Sequence, residues 1–182
     1  MEIINLDFDK NTNEELVFYP ENDCTYNINF LGGTGAKNIT LVFDKPNVSA
    51  KIVAFFKVKD NESFTLYTSA IHNAPNTSCD TKVRAVLYDG AFVDYKGKIV
   101  IKNTAKGSSS YLEDASLCLG DEIKNFAEPI LEIDCDDVSA SHSSYTGGID
   151  EEQVFYMQSR GLSKNEAIQV LVDAFLAPIG NQ

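Results

Sequence analysis

His142 stands among four serines in the stretch DDVSASHSSYTGGIDEEQ, and the chain has one other histidine, His72. A neutral imidazole is a common ligand for iron and zinc. The plainer account of His142 is a strand residue on the face of Val138 and Ala140, satisfied by a neighbouring carbonyl. Cys118, in YLEDASLCLG, shares a face with Asp114 and Ser116 and opposes Leu117 and Leu119. A thiolate there would be a soft ligand for iron and an acceptor of sulfane sulfur; a thiol there would simply be a small core hydrophobe. Cys135 alternates with Leu131 and Ile133 and is expected to be buried. Cys79 follows the turn-forming Asn76-Thr77-Ser78, where exposure is open to it, but nothing in the sequence pairs with it. The four cysteines lie 55, 39 and 17 positions apart with no CxxC pair, which fits neither a zinc-finger nor a thioredoxin-like site and predicts free thiols. Asp134, Asp136 and Asp137 could hold Ca²⁺ or act as paired acids, but acidic turn residues more often bond their own backbone.

The composition narrows the choice of partner. A chain of 182 residues is one domain, or one with a small appendage, and can bury a core without staples. Its formal net charge is −12, and its lysines, such as Lys96, Lys98 and Lys102, are scattered singly. Phosphate backbones and anionic lipid are repelled by such a surface, so nucleic acid and membrane are not expected partners. No apolar run reaches the roughly 18 residues a bilayer span requires. The opening MEIINLDFDKNTNEE has neither a basic n-region nor an apolar h-region, so the expected location is the cytoplasm.

The elements that must position these residues fall into two kinds. Up to about residue 145 the pattern alternates with period 2, as in AKIVAFFKV and SFTLYTSAI. Strands are expected over Glu15–Tyr19, Asn38–Phe43, Ala50–Val58, Ser63–Ile71, Thr81–Tyr88, Gly97–Ile101, Ser110–Leu119 and Ile130–Cys135. Gly, Asn, Asp, Ser and Pro punctuate them, and no crossover helix fits between them. The body is therefore all-β: a sandwich, a barrel or a solenoid. No exact repeat is visible. After residue 149 Asp150 caps a first helix with Gln153 at N3, and Gly161 stops it. Ser163 and Glu166 form the caps of a second helix, with Ala167, Ile168, Leu171, Ala174 and Phe175 on one stripe and Pro178 as its end.

Three stretches together resemble the SufB/SufD scaffold family of the SUF iron–sulfur cluster assembly system. In IHNAPNTSCDTKVRAVLYDGAFVDYKGKIVI, His72, Pro75, Thr77, Tyr95 and Gly97 hold the places of that family's pattern. SLCLGDEIKNFAEPILEIDCDDVSASH is similar to its run from a strand-ending Gly through P-x-L-E-I to D-D-V-x-x-S-H. GGIDEEQVFYMQSRGLSKNEAIQVLVDAF is similar to its tail across two helices. The resemblance covers about residues 63–176. It implies a right-handed parallel β-helix with a C-terminal helical unit, the unit that docks a SufC-type ABC ATPase. It also implies pairing of two such scaffolds, as homodimer or heterodimer, with a transient iron–sulfur cluster near their interface. Family members are usually longer. Asp114 stands where a SufB-type protein keeps its sulfur-accepting cysteine and Ser143 where it keeps a glutamate, whereas His142 matches the histidine of SufD-type members.

The expectation is thus a mainly β protein: a β-helix body over 1–148 and a helical, ATPase-docking unit over 149–182. It is expected to be a scaffold component without turnover of its own. Iron is expected at His142 and Cys118, and a partner on Val154, Phe155, Met157, Leu162, Ile168, Leu171 and Phe175. The competing classes are a β-helix carbohydrate-active enzyme, usually a secreted type, and a plain interaction module that binds no cluster.

Overall fold

The computed structural model describes residues 2–9, 11–59 and 61–177. Eleven strands alternate between two sheets: β1 (Glu2–Leu6), β2 (Asn13–Phe18), β3 (Cys24–Leu31), β4 (Gly35–Phe43), β5 (Ser49–Val58), β6 (Ser63–His72), β7 (Ser78–Leu87), β8 (Phe92–Ile101), β9 (Ser109–Cys118), β10 (Lys124–Ile133) and β11 (Ser139–Gly148). Odd strands form one sheet in the order β1-β3-β5-β7-β9-β11 and even strands the other, β2-β4-β6-β8-β10. Every pairing is parallel. Each coil lays one strand on each sheet, so the molecule is a parallel β-solenoid. Of the three all-β architectures open to the sequence, this is the one it adopts.

A repeat that is not literal does run through the chain. Ser49, Ser78, Ser109 and Ser139 are register partners spaced 29, 31 and 30 residues apart. Just ahead of three of them Asn47, Asn76 and Gly107 take left-handed backbone, with φ of 61°, 56° and 72°. Asparagine and glycine tolerate that conformation best. The corners stack: Asn47 N–H donates to Pro75 C=O at 3.2 Å, Asn76 N–H to Lys106 C=O at 2.9 Å, and Gly107 N–H to Asp137 C=O at 2.7 Å. At the opposite corner Asn11, Asn61 and Gly90 take the same left-handed backbone.

Between corners, alternate residues point inward and close the core. Phe30 stacks on Phe64 with centroids 4.1 Å apart, Phe56 tilts against Phe64 at 5.1 Å, and Phe43 stacks on His72 at 4.7 Å. Near the N-terminal end the interior is plugged by Lys37, fully buried. Its ammonium donates to Asp9 C=O, Thr12 C=O, Thr12 Oγ1 and Glu14 Oε1.

Two helices follow, α1 (Glu151–Ser159) and α2 (Lys164–Leu176), within a residue of the expected positions. Asp150 accepts from Glu152 N–H at 2.9 Å, Gly161 takes φ +100°, and Ser163 with Glu166 forms a full capping box. Pro178 lies outside the described residues. α2 buries Val172 against Val86 and Leu117 on the outer face of the odd sheet, flanked by Ile149, Ile168 and Phe175. Three buried aliphatic side chains at about 2 kcal/mol each make this a modest attachment beside the solenoid core.

Gly97 shows how tightly the interior is filled. A Cβ there would run into Leu112 Cδ1 from the opposite sheet and lie 2.6 Å from the Tyr95 hydroxyl. Gly97→Ala is expected to lose about 1–3 kcal/mol of stability through overpacking, measured as a lowered urea midpoint with an unchanged m-value.

Candidate functional site

Register neighbours in a parallel sheet point their side chains to the same face, so each inward row is followed from one end of the solenoid to the other. One row reads Ile4, Tyr26, Ile52, Thr81, Leu112, His142; the next reads Leu6, Ile28, Ala54, Val83, Asp114, Ser144. A third reads Phe30, Phe56, Ala85, Ser116, Thr146. All three begin apolar and end polar, and the second and third are polar in both of the last two coils. His142 therefore continues a core row, yet it is exposed, because no described strand lies beyond β11 to cover it.

Asp114 is the anomaly in this pattern. It is 3% exposed and occupies the place filled by Val83 one coil earlier. Its Oδ2 accepts from the Ser144 hydroxyl at 2.9 Å, while Oδ1 is buried with no hydrogen-bond partner. Burial pushes its carboxyl pKa above the ordinary value, against the Ser144 bond and the charges of His142 and Arg84, which lower it. Arg84 is itself nearly buried, paired with Glu113, with its guanidinium 5.8 Å from the Phe175 ring centroid on α2. His142 and Asp114 lie on adjacent strands in neighbouring inward rows, two residues apart in register and about 8 Å between Cα atoms, close enough for the side chains to converge.

Cys118 is not part of this cluster. It points inward, packs against the core and pairs with Gly148, and burial raises its thiol pKa. Six residues separate its row from that of His142, about 20 Å along the strands. Within one chain the two do not share an ion. Cys79, for which the turn before it left exposure open, is 2% exposed: it fills an inward row between Ala50 and Ser110, and its thiol is pushed up to about 12 by burial. Cys135 is buried, as expected, and so is Cys24; all four cysteines are free. The seam at the open end thus offers an imidazole, a carboxylate and hydroxyls, a donor set that does not fit a thiolate-held iron–sulfur cluster. Among the described residues no three His, Cys, Asp or Glu side chains gather as a metal group. Asp134 pairs with Lys102, and the Asp137 carbonyl belongs to the corner stack.

The helix pair also sorts the seven apolar residues expected to meet a partner. Val154 is 1% exposed and lies inside the helical unit; Ile168 and Phe175 pack toward the β body; Met157, Leu162 and Leu171 are half-buried. Phe155 alone stands out at 73% exposed, and Tyr156 beside it at 58%. Helical periodicity could not single out Tyr156, because it depends on which face α1 turns away from α2.

The architecture is a parallel β-solenoid with an uncovered C-terminal edge and an appended helix pair. Residues 24–175 match the family described as SUF system FeS cluster assembly, SufBD core domain. The chain belongs to the SufBD family. A Staphylococcus saprophyticus protein named iron-sulfur cluster assembly SufBD family protein is 36% identical over 108 residues, 59% of this chain and 23% of that relative. Counterparts from Staphylococcus haemolyticus and Staphylococcus aureus are 35% identical over the same length. The chain thus spans about a quarter of these relatives' length. Among the described residues no helix is long and apolar enough to cross a membrane.

His72, which resembles a family motif position, is a core residue here. It is fully buried, its Nδ1 is 2.8 Å from the Thr77 hydroxyl, and burial lowers its pKa to about 4. An unfolded histidine titrates near 6.5. The unfolded chain therefore binds the extra proton between about pH 6.5 and 4, and the neutral ring's contribution is lost as pH falls through that window, on the order of 3 kcal/mol in all. His72→Phe is expected to flatten this part of the stability profile, measured by urea unfolding at pH 7.0, 5.5 and 4.5. An unchanged slope would show that His72 does not carry it.

Proposed function

We propose that this chain is a scaffold component of iron–sulfur cluster assembly, without turnover of its own. It works in the cytoplasm, pairs edge to edge with a second scaffold strand and docks a SufC-type ABC ATPase on its helix pair. The observation that carries the reading is β11. Its ten residues, SASHSSYTGG, contain no Asp, Glu, Lys or Arg in a chain whose formal net charge is −12. Exposed sheet edges are normally blunted by charge, proline or bulges because they recruit other strands. β10, the edge of the other sheet, is blunted in this way: it carries Lys124, Glu128, Glu132 and, in mid-strand, Pro129. One edge is protected and the other is left bare, as strand addition requires.

The backbone says which groups a partner strand would use. Ser139 N–H donates inward to Ser108 C=O. N–H groups alternate sides along a strand, so those of Ala140, His142, Ser144 and Thr146 face outward. Ala140→Pro with Ser141→Lys removes one outward donor and adds a charge while sparing the ladder to β9. The double variant is expected to sediment as a monomer with its β-sheet circular dichroism intact, where the parent chain pairs with itself or with a co-expressed SufBD scaffold. Pairing at the parental level by the variant would refute edge addition.

The docking role rests on α1. Phe155 and Tyr156 form an exposed aromatic pair on a capped helix flanked by Glu151 and Glu152, which suits a partner pocket that is apolar with a basic rim. Aromatic anchors of this kind commonly contribute 2 kcal/mol or more. Phe155→Asp with Tyr156→Ala is expected to weaken capture of a co-expressed SufC-type ATPase at least tenfold, leaving the melting temperature within about 2 °C because both rings are exposed and the Arg160 guanidinium that meets the Tyr156 ring lies on the same exposed surface.

A further inference from the structure

We infer that the outer face of the odd sheet carries a binding site for a neutral saccharide, held by Asp80, Tyr111 and the serines around them. A hollow of about 320 Å³ opens there over the first residues of β7, β9 and β11. Its walls are Ser78, Asp80, Ser109, Tyr111, Ser139 and Ser141, which project outward, while Cys79 and Ser110 belong to an inward row and supply the floor. Ligand pockets run from roughly 300 to 1,000 Å³, so this one has the scale of a sugar ring or two. Two features set it apart from a plain run of small residues. The Asp80 Oδ1 is buried with no hydrogen-bond partner. Buried acceptors are nearly always paired, so an unmet one in the wall of a hollow calls for a donor from a ligand. The Tyr111 hydroxyl is tied to Ser143 at 2.8 Å, which fixes the aromatic ring where it lines the hollow. Among the described residues the hydroxyls of Ser78, Ser109, Ser139 and Ser141 take part in no hydrogen bond, so each is free to donate to a ligand or accept from it.

Charge decides the class of ligand. Lys51 is the register neighbour of Asp80 one coil earlier, and Lys82 follows two residues on along the same face. Two ammonium groups thus flank the single carboxylate, and the hollow does not select a cation. Asp80 itself refuses an anion. What fits is a neutral ligand that donates to a carboxylate, exchanges hydrogen bonds with hydroxyls and lays an apolar face on an aromatic ring, as a pyranose does. Asp80 is the one carboxylate lining the hollow, whereas glycoside hydrolysis takes a pair roughly 5–9.5 Å apart. The site therefore holds a sugar without cleaving it. α2 packs on the same outer face at Val86 and Leu117, six residues further along β7 and β9 and about 20 Å away, so it leaves the hollow open. A strand added to the edge of β11 would lengthen the hollow rather than cover it, and the inference stands apart from the pairing and docking roles.

The test is a ¹H–¹⁵N correlation titration of the full-length chain with methyl α-glucoside, methyl α-mannoside and methyl β-galactoside, beside glycerol and spermidine. At least one glycoside is expected to shift the amides of residues 78–80, 109–111 and 139–141 and to saturate in the millimolar range. Glycerol, which has no ring to lie on Tyr111, should bind at least tenfold more weakly. Tyr111→Ala and Asp80→Ala should each weaken the glycoside at least fivefold. Tyr111→Phe, which restores the ring without the hydroxyl, should bind at least threefold more tightly than Tyr111→Ala. Asp80→Ala is expected to melt no lower than the parent, because it removes an unmet acceptor; a lowered melting temperature with parental binding would make Asp80 structural and overturn its role. Amides unmoved by all three glycosides up to their solubility limits would overturn the site itself. Spermidine shifting the same amides at lower concentration than any glycoside would overturn the choice of a neutral ligand.

Discussion

Everything in this molecule depends on one constraint, the in-register parallel stacking of successive coils. Each inward residue meets its counterparts directly above and below, about 4.8 Å away, so a position in one coil dictates what its row will accept in the next. The corners enforce the register. A residue with left-handed φ turns the chain once per coil, and its N–H donates to the next coil's carbonyl, as from Asn76 to Lys106 and from Gly107 to Asp137. Gly107 shows the economy of that stack: a side chain there would strike the Asn76 amide oxygen. A one-residue slip would turn every row inside out, so the corners, more than any single core contact, hold the register.

A stack of this kind has two ends, and each leaves two strand edges and an uncovered interior. The N-terminal end spends a buried lysine on the problem. Lys37 satisfies four acceptors and lies 5.2 Å from the Phe8 ring centroid, so the interior is filled there by an aliphatic stem and an ion pair with Glu14. The C-terminal end is left different. Leu131 and Ile133 of β10, at 39% and 42% exposed, line it with His142 and Thr146, and the Asn125–Thr146 hydrogen bond, 3.0 Å, ties the two sheets across it. The asymmetry between a closed end and an open one is what gives the fold a direction, and it places the chemistry where a second body would complete the stack.

How much of this was legible in the sequence follows from how local each signal is. Helix caps are local, and Asp150, Gly161, Ser163 and Glu166 give both helices correctly. Strands with one apolar face are nearly as plain, as in β5 and β6. β3 went unread because CTYNINFL alternates tyrosine, isoleucine and phenylalanine with asparagine, a residue that elsewhere marks turns. Here Asn27 points outward and donates to Asn5 of the neighbouring coil at 3.2 Å, an amide ladder that only stacking produces. The strand expected over Ile130–Cys135 is Lys124–Ile133 in the structure; it runs through Pro129, whose missing N–H costs nothing on an edge strand. β11 runs on through Gly147 and Gly148, paired with Leu117 and Cys118, and the Tyr145 ring lies across Gly147 where a Cβ would collide with it. His142 was singled out by its residue type. Asp114 as its partner could not be, since their proximity depends on a register between β9 and β11 that no sequence spacing states.

The polar turn of the rows also explains why the helix pair sits where it does. Putting a carboxylate into a solenoid interior weakens the coil that holds it, and β9 is the strand concerned. On its outer face Glu113 is paired with Arg84, and α2 covers that pair with the Phe175 ring while Val172 presses on Leu117 of the same strand. Arg84 is therefore held by an aromatic face on one side and a carboxylate on the other, and its charge acts on Asp114 across the strand. One strand thus carries the buried acid inward and the helical unit outward. A load on α1 from a docked protein would pass through α2 to Arg84 of β7 and to Leu117 of β9, the strand that positions Asp114, rather than to the aromatic core around Phe30, Phe56 and Phe64. The fold joins the coil that carries the buried acid to both of its proposed interaction surfaces and leaves the aromatic coils before it to hold the register.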